Sequence, residues 1–228
     1  MNVITLLQKF KNKPVFGVQD IERAANCSNA YARQILRRMG ERGLLKRVTR
    51  NIYTTQDDIY VVASNISYPS YISFWSASAF LGYTEQVLNV LQIACTRPVR
   101  SARFGNSNIE FVPMKHFFGY RKIRADNGEI FIAEDEKLMI DAFLRPEKCG
   151  NIDEIEKIFS NASFTEKKLV NYLRQIDSQS LIKRVGFMLE KTRGLDISGY
   201  FRLDKNYVVL DRVSGRFTET NPKWRVKV

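Results

Sequence analysis

The sequence predicts an α+β protein, with an N-terminal winged helix-turn-helix followed by a mixed α+β region. Three observations lead there. Between Ser28 and Thr55 a basic amphipathic helix runs directly into a short basic hairpin. Strands are expected at Val90–Cys95, 108–113 and 129–133, the last two β-rich and partly alternating. Helical periodicity then returns between Glu134 and Gly194.

In order, Asn2 can cap a first helix whose Ile4, Leu7 and Phe10 face inward and which ends before Pro14. A short second helix carries Val18, Ile21 and Ala24 or Ala25 on one face and is broken by Asn26-Cys27. Ser28 suits the N-cap of the third helix. With Ala32 as the zero of a wheel at about 100° per residue, Ile35, Leu36 and Met39 fall within about 60° of it. Arg33, Gln34, Arg37 and Glu41 lie opposite, with Tyr31 and Arg38 on one shoulder and Asn29 on the other. Gly43 closes the helix, and Leu44–Val48 turns through Thr49-Arg50-Asn51 into Ile52–Thr55. These elements predict a DNA-binding winged helix over residues 1–56 and a second domain over residues 57–228.

Asp57-Asp58 places negative charge at the start of a helix from Ile59 to Ile66, where the macrodipole favours it. Ser73 is positioned to cap a helix from Phe74 to Leu81 ending at Gly82, with Phe74, Trp75, Phe80 and Leu81 carrying its burial. Asn127-Gly128 is a turn signal before the strand at 129–133. Further helices are predicted from Glu134 towards Pro146, and at 152–159, 165–176 and 178–191, with Gly194 as a stop. Short strands at 207–210 and 224–226 close the chain.

The net charge is +12 over 228 residues, and it is unevenly spread. Residues 1–56 hold 11 Lys/Arg against 3 Asp/Glu, or +8. Residues 57–148 give −1 (10 against 11), and residues 149–228 give +5 (15 against 10). A polyanionic partner for the first part follows. Cys27, Cys95 and Cys149 form no Cys-x-x-Cys pair, and His116 has no nearby Cys, so no metal or other cofactor is expected. Free thiols and the lack of a long apolar run point to a cytoplasmic protein with no membrane partner.

For duplex DNA, Asn29, Arg33, Gln34 and Arg37 offer the bidentate groups that read adenine and guanine edges, flanked by Tyr31 and Arg38. Lys46, Arg47 and Arg50 on the wing suit phosphate or minor-groove contact. Arg97, Arg100, Arg103, Lys115, Arg121, Lys122 and Arg124 form a candidate second basic surface, equally readable as solvated loops. Asp135-Glu136-Lys137, with Asp126 upstream, matches the (Asp/Glu)-x-Lys core of metal-dependent nucleases. The triplet opens a helix, where carboxylates are favoured for dipole reasons alone, and the structural reading is preferred. No Gly-rich phosphate loop, Ser-His-Asp set or Cys-His pair is present, and the chain reads as a non-enzyme.

The ordered segments GLLKRVTRNIYTT, YPSYISFWSASAFLGYTEQ, FIAEDEKLMIDAF, LIKRVGFMLEK and NPKWRVKV resemble the AbiEi antitoxins of type IV, abortive-infection toxin–antitoxin systems. The chain departs from such sequences at Asn51, where they usually carry a glycine. The resemblance implies a winged helix that represses its own operon and a C-terminal antitoxin domain. It also implies a nucleotidyltransferase-like AbiEii toxin as functional partner, countered without a stable complex. The hypothesis this suggests for the middle basic stretch is competition for, or shielding of, a nucleic-acid target of that toxin, RNA being one such target. The alternatives are a stand-alone regulator with a ligand- or partner-sensing C-terminal domain, and a nuclease.

Overall fold

The computed structural model describes residues 3–86, 89–125 and 128–228. The expectations placed on Asn2, the Ile4 side chain, Asp126 and Asn127 lie outside what is described. The chain is α+β, as the sequence predicts. In order it runs α1 (Val3–Phe10), β1 (Phe16–Gly17), α2 (Val18–Ala25), α3 (Asn29–Glu41), β2 (Lys46–Thr49), β3 (Ile52–Thr54), α4 (Ile59–Ser64), β4 (Ser70–Ile72) and α5 (Phe74–Phe80). Next come β5 (Val90–Cys95), β6 (Ala102–Phe104), β7 (Ser107–Pro113), β8 (Tyr120–Ala125) and β9 (Gly128–Ala133). The remainder is α6 (Asp135–Leu144), α7 (Ile152–Asn161), α8 (Glu166–Ile176), α9 (Gln179–Arg193), β10 (Val208–Val209), β11 (Thr220–Asn221) and β12 (Val226–Lys227).

Two compact units interleave in sequence. One holds Met1–Ile72, Asn89–Lys115 and Lys122–Ile132; the other holds Ser73–Leu88, His116–Arg121 and Ala133–Val228. These units are defined by packing and do not follow the boundary expected between residues 1–56 and 57–228. The winged helix therefore shares its unit with most of a six-stranded sheet of order β6-β7-β5-β4-β9-β8. In that sheet β5 runs parallel to β7, β4 parallel to β9, and β4 antiparallel to β5. β4, β6 and β8 were absent from the predicted strand set, as was β1, which pairs with β3 to make the wing a three-stranded sheet β1-β3-β2.

The winged helix has its own core. Leu6, Phe10, Phe16, Val18, Ile21, Ala32, Leu36, Met39 and Leu45 are buried together, with Ile35 and Tyr53 half-buried against them. Phe10 and Phe16 stack with ring centroids 4.6 Å apart. Local rules set the ends of its helices. Asn26 takes the left-handed conformation (φ 48°) that separates α2 from α3. Gly43 does so (φ 68°) after α3, while the Leu44 amide donates back to the Met39 carbonyl at 3.0 Å. Asp58 caps α4 by accepting from the Tyr60 amide at 2.9 Å.

The second unit is built around α6, whose residues Asp135 to Phe143 are all buried and which packs against α5, α7, α8 and α9. Two expectations for α5 are corrected. The Ser73 side chain does not cap the helix; its hydroxyl donates to Asp141 on α6 at 2.8 Å. Phe80, expected to carry burial, is exposed, whereas Phe74 is buried together with the small residues Ser76, Ala77 and Ser78. In α9, Lys183 and Arg184 join the buried Leu181, Val185, Met188 and Leu189. Lys183 pairs with Asp204 at 2.5 Å, and the Arg184 Nε donates to the Val209 carbonyl at 2.7 Å. Burial, helped by nearby Arg212, pulls the Arg184 pKa down to about 10.

Trp224 is fully buried on α9, and its indole N–H donates to Glu190. A Cβ at Gly186 would come within 2.1 Å of the indole ring. Gly186→Ala is therefore expected to destabilise the protein by about 1–3 kcal/mol through overpacking, lowering the urea midpoint at unchanged m-value. An unchanged midpoint would show that the indole can slide along the helix.

Candidate nucleic-acid interface

The face of α3 is fixed by what the helix buries. Ala32, Leu36 and Met39 are at most 1% exposed, which turns Asn29, Arg33, Gln34 and Arg37 to solvent. The Ser28 hydroxyl accepts from the Tyr31 amide at 3.4 Å, the cap predicted for it. Along the exposed face, Asn29 Oδ1 accepts from Arg33 Nε at 2.8 Å, and Glu41 Oε1 accepts from Arg37 Nε at 2.8 Å. The Glu41 hydrogen bond holds the Arg37 guanidinium above its usual pKa. Both pairs are intrahelical and solvent-exposed, so they orient the arginines while leaving them free to exchange for a ligand.

The two shoulders of α3 open into different hollows. Asn29 and Arg33 share one of about 300 Å³ with Gly17, Gln19, Asp20, Arg23 and Asn51. Tyr31 and Arg38 share another of about 170 Å³ with Leu6, Ile35, Met39 and Arg42. Arg23 and Arg42 are exposed basic neighbours of this face that the sequence reading omitted. Arg42 stands four residues after Arg38, a spacing that could have flagged it.

The wing turns without a glycine at its tip. Asn51 is not in the left-handed region; a register shift between Arg47 and Thr49 takes up the turn instead. Arg47 donates from Nε to the Thr49 carbonyl at 3.1 Å and from Nη2 to the Arg50 carbonyl at 3.4 Å, clasping its own hairpin. Lys46 is paired with Asp57 and lies 5.6 Å from the Phe104 ring centre. Of the three basic wing residues predicted to meet DNA, Arg50 is thus the one with neither an ion pair nor a side-chain clasp among the described contacts.

Of the candidate second basic surface, the structure gathers Arg97, Arg100 and Arg103 with Arg50 around one open groove of about 810 Å³, floored by Val48, Ile52, Ile66 and Val99 and flanked by Tyr68. Lys115, Arg121, Lys122 and Arg124 are exposed but do not line it, and Lys122 is paired with Glu129. The nuclease-like triplet is turned inward. Lys137 is fully buried and paired with Asp141; Asp135 accepts from the Tyr83 hydroxyl; Glu136 accepts from the Thr165 amide at 2.8 Å and pairs with Lys168 at 3.2 Å. Among the described residues no group of three or more His, Cys, Asp or Glu is placed to hold a metal ion, and no helix is long and apolar enough to cross a membrane.

Over its whole length the chain is similar in fold to the crystal structure of the RV2827C protein from Mycobacterium tuberculosis, with a TM-score of 0.63 at 13% identity, covering 98% of this chain and 88% of that one. No curated protein sequence matches significantly. Residues 5–56 match the family described as "Transcriptional regulator, AbiEi antitoxin", in agreement with the resemblance read from the sequence. The winged helix of this chain is thereby tied to the AbiEi transcriptional regulators and antitoxins.

Proposed function

We propose that the chain is the antitoxin and autorepressor of a type IV toxin–antitoxin operon, a non-enzymatic cytoplasmic protein that binds duplex operator DNA. Asn29, Arg33, Gln34 and Arg37 read base edges, with Tyr31 and Arg38 beside them, and Lys46, Arg47 and Arg50 place the wing on the backbone or minor groove. The remainder of the chain counters a nucleotidyltransferase-like AbiEii toxin without needing a stable complex with it. One observation carries the reading: the family match falls on residues 5–56, the segment whose third helix presents an exposed basic face. The alternative, a stand-alone winged-helix regulator with a sensing C-terminal domain, shares the DNA face and lacks the toxin.

The toxin arm separates the two. The full chain co-expressed with an AbiEii-like nucleotidyltransferase should restore colony formation, and an Arg37→Ala variant should still do so, because rescue belongs to the other domain. No rescue by either protein would leave the regulator alone standing.

On operator DNA, Arg37→Ala is expected to weaken binding about 5- to 150-fold and relax preference at one base pair. Glu41→Gln should strengthen binding, since it removes both a competitor for Arg37 and a negative charge close to phosphate. Electrophoretic mobility shifts on operator and scrambled duplexes check both, and an equal loss on the two duplexes for Arg37→Ala would reduce that residue to a phosphate contact.

Arg50→Ala should weaken all duplexes alike and lower the magnitude of the log K against log salt slope by about one. A sequence-dependent loss would place Arg50 on a base instead.

A further inference from the structure

The groove beside the wing has a composition that duplex binding does not require. Arg50, Arg97, Arg100 and Arg103 converge on it from two stretches of chain, and no Asp or Glu is among its lining residues. Tyr68 stands at its side 76% exposed, with its ring set edge-on to Phe131 at 6.3 Å. An aromatic side chain of that exposure normally costs free energy by wetting its faces. A duplex cannot cover it, because the faces of paired bases are hidden in the stack and only edges, sugars and phosphates are offered. Unpaired nucleotides offer both a phosphate for each guanidinium and a π-face for the ring. The volume of about 810 Å³ is in the range of a site for a nucleotide-sized ligand.

We propose that this groove binds a short single-stranded segment of nucleic acid, with phosphates on Arg97, Arg100, Arg103 and Arg50 and a base stacked on Tyr68. The apolar floor at Ile52 and Val99 receives the sugar and base edges that leave water. The site is separate from the base-reading face of α3 and stands whether or not that face reads an operator.

Fluorescence anisotropy with labelled oligouridylate and oligothymidylate, using the full chain, tests it. The wild-type protein should bind at least one of the two, and the tighter of them names the natural class. Tyr68→Ala should weaken binding about 5- to 150-fold, while Tyr68→Phe keeps it close to wild type. The triple variant R97Q/R100Q/R103Q should bind weakly and lower the magnitude of the salt slope by about two. Tyr68→Ala and the triple variant should both retain wild-type affinity for the operator duplex, which also shows that they fold. Absence of binding to both oligonucleotides, or wild-type binding by Tyr68→Ala, would overturn the proposal. So would a parallel loss of duplex affinity in the triple variant, which would make the groove part of the duplex interface.

Discussion

The winged helix depends on one constraint, the burial of the narrow stripe Ala32, Leu36 and Met39. Burying Leu36 and Met39 is worth about 1.5–3 kcal/mol each. Rotating α3 by one residue about its axis would expose part of that stripe and carry Arg33 towards the interior, where a guanidinium without a partner is strongly disfavoured. The apolar residues therefore decide which polar residues are outermost. The same core then takes Leu45, two residues beyond the left-handed Gly43, so the chain re-enters it before the wing begins. The wing closes onto β1, where Thr54 donates to the Pro14 carbonyl at 2.6 Å and Gly17 lies close under Asn51. The third helix and the wing are thus positioned by one apolar cluster.

The second unit is specified differently, by polar groups that cannot be moved once buried. Asp141 receives both Lys137 and the Ser73 hydroxyl, and the Lys137 ammonium also lies 5.4 Å from the Phe118 ring centre. Taking such a pair out of water is costly, and the Coulomb attraction offsets it only when the geometry and remaining hydrogen bonds are satisfied. Its effect here is positional: it fixes the rotation of α6 and the start of α5 together. Around it, burial and the Asp135 carboxylate push the Tyr83 hydroxyl well above the ordinary tyrosine range, and burial and Glu134 do the same for Tyr172. Both phenols stay protonated and donate, Tyr172 to Glu134 at 2.6 Å. The acidic residues that resemble a nuclease core are held by this network.

What was legible in the sequence is what local rules determine. The stripe on α3, the Ser28 cap, the helix start after Asp57-Asp58 and the stops at Gly43 and Gly194 depend on neighbours within a turn or two, and each appears where periodicity, capping chemistry and the macrodipole put it. The strands that escaped are short or charged, and exist because of distant partners. β4 is three residues long and is held by β5 on one side and β9 on the other; β1 is two residues long and is held by β3. Burial of charge was equally illegible. Nothing near Lys183 in sequence announces Asp204, and nothing near Arg184 announces the Val209 carbonyl. The convergence of Arg97, Arg100 and Arg103 with the wing is of the same kind, since it joins residues about 50 positions apart.

The net charge of +12 also changes meaning once partners are known. Lys46 is paired with Asp57, Lys122 with Glu129 and Arg37 with Glu41, while Arg47 is committed to the wing's own carbonyls. Exposed pairs are worth little in water, so a phosphate can displace their carboxylates at small cost. Their effect is to set a threshold, because each must exchange a partner before it contributes to binding. Arg50, Arg97, Arg100 and Arg103 meet no such threshold among the described contacts, and they share one groove. Counterion release follows charges that are available when the polyanion arrives. The excess of positive charge in residues 1–56 pointed to the winged helix as a whole; among the described ion pairs its exposed arginines without a carboxylate partner include Arg23, Arg38 and Arg42 beside α3 and Arg50 on the wing.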